Sequence, residues 1–135
     1  MPDEIFSAIT VMVVDDEAIM RSFVTSTLEA IGVGHVITAE NGADALTQLA
    51  ETDRAVDLVI CDIEMPEMTG YEFVNSVRHS MVPRFKNVPI VILTGQDTER
   101  NMEKARIHQI NGYLVKPPTV DLLRAQIRNV LGLRL

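Results

Sequence analysis

Several polar side chains in this sequence stand directly behind apolar runs. Asp15 and Asp16 follow Ile9-Thr10-Val11-Met12-Val13-Val14, and Asp62 follows Val59-Ile60-Cys61. Thr94 follows Pro89-Ile90-Val91-Ile92-Leu93, and Lys116 follows Tyr113-Leu114-Val115. Three carboxylates brought together repel one another, and burying that charge unpaired is costly. A hard divalent cation with oxygen ligands relieves the repulsion. Mg²⁺ suits best, because it takes one or two carboxylates and keeps its other positions for water and phosphate oxygens. The Lys116 ammonium and the Thr94 hydroxyl are apt for phosphoryl oxygens. The set therefore has the parts for phosphoryl transfer to an aspartate, a reaction that asks a protein mainly for positioning and charge stabilisation.

These residues meet only if the apolar runs lie side by side and point the same way. The first run, Ile9 to Val14, is a strand stopped by Asp15-Asp16-Glu17, and a helix follows from Ala18 until Gly32 ends it, with Met20, Phe23, Val24, Leu28 and Ile31 at helical spacing. Val36–Ala39 is a second strand, and Asn41-Gly42 opens a helix with Ala43, Leu46, Leu49 and Ala50 on one face. Asp57–Cys61 is the third strand, with Asp62 just past its end. A third helix runs from about Gly70 to His79 and buries Phe73, Val74 and Val77. Ser80 to Asn87 reads as a loop. Pro89–Leu93 is the fourth strand, Asp97 caps a fourth helix to about His108, and Tyr113–Val115 is a fifth strand broken by Lys116-Pro117-Pro118. Thr119 caps a last helix in which Leu123, Ile127, Val130 and Leu131 share a face.

Strands that alternate with helices and are apolar throughout predict an α/β fold. Its form is a doubly wound, five-stranded parallel sheet with five helices, in a three-layer α/β/α sandwich. All carboxyl ends of such a sheet lie along one rim, where open α/β folds place their ligands.

The totals narrow the function. At 135 residues the chain reads as a single domain over 1–135, with its core at about residues 9–131. It is long enough to bury roughly two thirds of its unfolded surface. A net charge of −7 disfavours direct binding of nucleic acid, which needs a basic face. No window approaches the roughly 20 apolar residues of a membrane span, and one cysteine excludes an internal disulfide, so a cytoplasmic location is expected. Cys61 reads as a small buried hydrophobe. His35, His79 and His108 lie on separate elements with no metal spacing.

Four stretches together carry a resemblance: Val13-Val14-Asp15-Asp16-Glu17, Cys61-Asp62-Ile63-Glu64-Met65-Pro66-Glu67-Met68-Thr69-Gly70, Leu93-Thr94-Gly95 and Tyr113-Leu114-Val115-Lys116-Pro117. In that order and at strand ends, they make residues from about Thr10 to Leu131 similar to the receiver domain of two-component response regulators, in particular the single-domain chemotaxis regulators. The resemblance implies a flavodoxin-like strand order 2-1-3-4-5. It implies that Asp62 accepts a phosphoryl group from a sensor histidine kinase, a phosphotransfer protein or a small phosphodonor. Asp15, Asp16, Asp62 and the backbone carbonyl of Glu64 would hold Mg²⁺, with Mn²⁺ or Ca²⁺ able to substitute.

Thr94 and Lys116 would bind the phosphoryl group, and Thr94 with Tyr113 would form the switch. The Lys116-Pro117 bond would be cis. Glu64 and Gln96 occupy the positions that tune phosphoryl lifetime. A downstream effector would read the face formed by the fourth helix, fifth strand and fifth helix of the chain, the protein being a monomer or a phosphorylation-dependent dimer in phosphorelay signalling. It would be a phospho-switch, catalysing only its own phosphorylation and dephosphorylation.

Other readings compete with these. Asp15 and Asp16 also suit capping the first helix, Asp62 a turn, and Tyr113 a half-buried strand position. Arg124 and Arg128, with Lys104 and Arg106, suit a solvated face or a partner patch. Gly95 stands where the family often has alanine, Pro118 stiffens the entry to the last helix, and His108-Gln109-Ile110-Asn111 replaces a small-residue turn. For the whole chain, a receiver segment of a longer protein is one alternative. A Mg²⁺-dependent phosphohydrolase with an aspartyl-phosphate intermediate is another, since Glu64 supplies a second acid two residues after Asp62. A flavodoxin-like cofactor binder is disfavoured, because no glycine-rich phosphate loop follows the first strand.

Overall fold

The computed structural model describes residues 4–79, 82–95 and 109–132. The strands are β1 (Thr10–Val14), β2 (His35–Ala39), β3 (Leu58–Asp62), β4 (Ile90–Thr94) and β5 (Gly112–Val115), and the described α-helices are α1 (Ala18–Ile31), α2 (Gly42–Glu51), α3 (Gly70–Arg78) and α4 (Val120–Leu131). The strands pair in parallel in the order β2-β1-β3-β4-β5. Four helices are thus described where five were expected. The missing one, at residues 97–108, lies outside the described residues, as do Gln96, Lys104, Arg106 and His108.

Side chains of the central strands alternate between the two layers, as a period of two requires. Met12, Val14, Val59, Cys61, Ile90 and Ile92 pack with Ala45 and Leu49 of α2 and with Phe73, Val74 and Val77 of α3. Val11, Val13, Leu58, Ile60, Val91 and Leu93 pack with Val24, Leu28 and Ile31 of α1 and with Leu123 and Ile127 of α4. Both layers bury the sheet, so β1, β3 and β4 are buried along their whole length.

Sequence and structure differ in detail for identifiable reasons. β3 ends at Asp62 itself, because Asp62 continues the ladder opposite Leu93. Phe23 fits the spacing of α1 but is 44% exposed, and the buried stripe runs through Val24, Thr27, Leu28 and Ile31. On α2 the buried residues are Gly42, Ala45 and Leu49, not Ala43 or Ala50, since alanine marks no face by its size. Within the expected loop at 80–87, Pro83–Phe85 forms a 3-10 turn that buries Phe85. Another such turn, Glu4–Ala8, buries Phe6 beneath the Arg128 guanidinium.

The helix ends are set locally. Gly32 closes α1 at φ 106°, a left-handed conformation that glycine adopts without strain. Thr69 and Glu72 form a reciprocal capping box at the start of α3. Asn41 and Thr119 cap α2 and α4 through their side chains.

Candidate functional site

The parallel ladder brings the carboxyl ends of β1, β3, β4 and β5 to one rim, and with them Asp15, Asp62, Thr94 and Lys116. Asp62 is 1% and Asp15 0% exposed, whereas Asp16 and Glu17 project into solvent. Carboxylate oxygens of Asp15, Asp16, Glu17 and Asp62 all lie within 4.8 Å of one another. Glu17 belongs to this cluster, although its type and place in the sequence point to no role of its own. The signal was present as the third acid behind β1.

Lys116 reaches into the cluster from the end of β5. Its Nζ lies 2.8 Å from Asp62 Oδ1, 3.7 Å from Glu17 Oε1 and 3.9 Å from Asp15 Oδ2. Its backbone N–H donates to the Thr94 carbonyl at 2.7 Å, which ties the ends of β4 and β5 together, and the Lys116-Pro117 peptide is cis. Thr94 is buried at 3% exposure on the last residue of β4. Tyr113 stands partly buried on β5, opposite Ile92, against the layer formed with α2 and α3. Glu64 is exposed, and its N–H donates to Asp62 Oδ1 at 3.3 Å.

Asp15 does not cap α1 through its side chain. Glu17 holds the N-cap position, and Asp15 Oδ1 accepts the Glu17 N–H at 2.9 Å. The loop after β1 is further held by Arg21, whose Nη1 donates to the Asp15 carbonyl at 2.7 Å. The loop after β3 closes tightly as Gly70 N–H donates to the Ile63 carbonyl at 2.8 Å. A β-carbon at Gly70 would collide with the Asp62 carbonyl, so the turn requires glycine.

Burial pushes the Asp15 carboxyl from 3.8 up to about 6, with the Asp62 charge adding to the rise and the Glu17 N–H opposing it. Burial also raises Asp62, against the hydrogen bond and charge of Lys116. The Lys116 ammonium is raised overall, since Asp62, Asp15 and Glu17 outweigh a burial that acts to lower it. The Cys61 thiol is pushed well up by burial and by Asp62, so it stays protonated.

Among the described residues one cation thus faces four acids, and two buried oxygens, Asp15 Oδ2 and Asp62 Oδ2, accept no hydrogen bond. Buried acceptors are normally satisfied, so two such atoms on carboxylates of one cluster mark a place for a positive ligand. The donors are all oxygens, which suits Mg²⁺. The residues present fit that ion.

The family model for the response regulator receiver domain matches residues 11–128. The chain belongs to this family. It is 35% identical over 121 residues to the chemotaxis protein CheY1 of Helicobacter pylori, covering 90% of this chain and 95% of that one, and 34% identical to the CheY homolog of Campylobacter jejuni. Among solved structures, CheY4 of Vibrio cholerae superposes with a TM-score of 0.81 at 34% identity, covering 91% of this chain and 98% of that one. The receiver domain of the histidine kinase CKI1 from Arabidopsis thaliana, solved with Mg²⁺ and BeF₃⁻, gives 0.81 at 25% identity, covering 96% and 94% of the two chains. This receiver is therefore a CheY-like signalling module of two-component systems with a flavodoxin-like fold.

Proposed function

We propose that this receiver takes a phosphoryl group onto Asp62 from a histidine kinase or phosphotransfer protein, and that the aspartyl phosphate switches its binding to a downstream effector. The observation that carries the reading is Asp62 itself: a buried carboxylate with Lys116 on one oxygen, no partner on the other, and further acids alongside. Asp15, Asp16, Asp62 and the backbone carbonyl of Glu64 would hold Mg²⁺. When bound, that ion supplies the positive charge that lets an anionic phosphoryl group approach carboxylates. The plant receiver's structure was solved with Mg²⁺ and BeF₃⁻, which supports a role for Mg²⁺ here.

In the transfer, an Asp62 carboxylate oxygen attacks phosphorus as the bond from phosphorus to the donor's imidazole nitrogen breaks. For a small acyl phosphate, the acyl oxygen leaves instead. Lys116 re-aims from the carboxylate to a phosphoryl oxygen, and the Thr94 hydroxyl donates to another. Hydrolysis reverses the modification when water attacks phosphorus and the Asp62 carboxylate departs. Glu64 projects from the loop beside Asp62, where its charge acts on that water and sets the phosphoryl lifetime along with Gln96.

The phosphoryl group replaces one carboxylate charge with about two charges and three acceptor oxygens. Thr94 and Lys116, joined through the backbone hydrogen bond between their strands, move together toward it, and Tyr113 on β5 follows. A hundredfold shift between two states requires about 2.7 kcal/mol of differential stabilisation, within reach of two charge-assisted contacts. The output face is then β5, α4 and the segment before β5. The whole chain acts as one receiver domain in the cytoplasm.

Incubation with acetyl phosphate and MgCl₂, followed by intact-mass measurement, tests this reading. The wild type gains one phosphoryl group and Asp62→Asn gains none. An unlabelled wild type, under conditions that label another receiver, would sink the proposal. Sustained multiple-turnover release of phosphate from varied monoesters would replace it with the hydrolase reading.

A further inference from the structure

Glu17 is the acid of the rim that the phosphoryl transfer above does not use. It occupies the N-cap position of α1, yet its side chain accepts no helix N–H. Effective N-caps are the short Asn, Asp, Ser and Thr, so helix stability does not account for a glutamate there. Its carboxylate turns instead toward Lys116, with Oε1 3.7 Å from Nζ, while 66% of its side chain stays in solvent.

Lys116 lies across the place a cation needs. Its Nζ is 2.8 Å from Asp62 Oδ1 and 3.9 Å from Asp15 Oδ2, and both acids carry a buried oxygen that accepts no hydrogen bond. An ammonium and a divalent ion on one carboxylate repel strongly at such distances. As the ion binds, the ammonium must loosen its hold on Asp62. Among the described residues, Glu17 is the only acid within 4 Å of Lys116 Nζ outside the proposed ligand set. Its exposure lets it take the ammonium without desolvating a new charge.

We propose that Glu17 is a positioning residue for Lys116: it receives the ammonium when a divalent cation takes Asp62, and so raises the affinity for that cation. The inference rests on the metal-dependent reading of the site. It predicts coupling between residues 17 and 116 that direct attraction of the ion by Glu17 would not produce.

MgCl₂ titration of the unphosphorylated full chain, followed by the amide NMR shifts of Cys61, Asp62 and Ile63, tests it, since the chain has no tryptophan for a fluorescence readout. Glu17→Gln should raise the Mg²⁺ Kd about three- to tenfold, the range one nearby charge commands in a partly solvated site. Glu17→Asp, which keeps the charge, should recover part of the loss. In a Lys116→Met background the Glu17→Gln effect should shrink below about twofold, the signature of coupled residues. Should Lys116→Met not fold, the Lys116 Nζ resonance gives the same information. It must respond to Mg²⁺ in the wild type and respond less in Glu17→Gln.

Equal denaturation midpoints of metal-free wild type and Glu17→Gln would show that the affinity change is not a folding defect. An unchanged Kd in Glu17→Gln overturns the inference, as does an equal loss with and without Lys116. Wild type that binds no Mg²⁺ at all would remove the metal reading together with the inference.

Discussion

The two ends of one sheet treat their polar groups in opposite ways. At the amino end, Arg78 on the last turn of α3 donates to the carbonyls of Val88 at 2.7 Å and Lys86 at 3.0 Å, and also to the Gln109 carbonyl and Asn111 Oδ1. Asn111 Oδ1 also accepts the Ile90 N–H, and Asp57 Oδ2 accepts the Thr10 N–H, both at 2.8 Å. Each of these groups is spoken for. At the carboxyl end, among the described residues, acids crowd around one lysine and two buried oxygens accept no hydrogen bond. The amino end satisfies its polar groups, and the carboxyl end leaves two of its buried oxygens without a hydrogen bond. Such conflict between local stability and composition is characteristic of functional sites.

The contrast can be broken from either side. The largest effect is expected at the amino end. Arg78→Met should destabilise the protein by about 3 kcal/mol, because it orphans carbonyls that a charged donor now satisfies. A chemical-denaturation midpoint measures this, and a loss below 1 kcal/mol would mean that water replaces the guanidinium without penalty.

At the other end a polar deletion should stabilise. Asp15→Asn keeps an oxygen for the Glu17 N–H and removes the buried charge. With chelator present, it should gain about 1 to 3 kcal/mol at pH 7, an order-of-magnitude figure from the Asp15 shift. Added MgCl₂ should stabilise the wild type and not this variant, so the ranking narrows or inverts.

The same shift carries a pH dependence. The Asp15 carboxyl sits near 6 in the fold against 3.8 in the unfolded chain, so between these values the folded state holds the extra proton. Its contribution to stability is present below about 4 and is lost as pH rises through about 6. The advantage of Asp15→Asn over wild type should therefore grow from near zero at pH 4 to its full size at pH 7. Melts at several pH values with chelator would show it, and a constant gap would assign the gain to something other than the proton.

The smallest effect is expected at Gly95. A β-carbon there meets nothing within 4 Å among the described residues, so Gly95→Ala should change stability by less than about 0.5 kcal/mol. A larger loss would show that the end of β4 needs glycine for its backbone. Thermal melts distinguish the two.

Much of this was legible in the sequence, for physical reasons that can be named. A strand buried on both faces must be apolar, so β1, β3 and β4 announced themselves, and the first polar residue behind each marked the rim. Thr119 announced a helix start because capping is local chemistry, whereas the Thr69–Glu72 capping box went unread. Phe23 and the alanines of α2 were harder to place, since periodicity identifies a helix but not which of two near-equivalent stripes meets the sheet. Arg78 passed unremarked because its partners lie up to 33 residues away in the chain. Phe6 was equally silent, an aromatic ahead of β1 that joins the core between the sheet, α1 and α4, with Arg128 over its ring.

By itself, then, the sequence determined the alternation of strands and helices, the family, and the identity of the acids, threonine and lysine at the strand ends. These follow from residue type and spacing along one segment at a time. Only the tertiary structure decided which of those acids are buried, that Asp15 and Asp62 each carry an oxygen without a donor, and that Glu17 shares Lys116 with them. Burial and pairing depend on the neighbours that other segments supply, and electrostatic energy depends on distance and dielectric rather than on order in the chain.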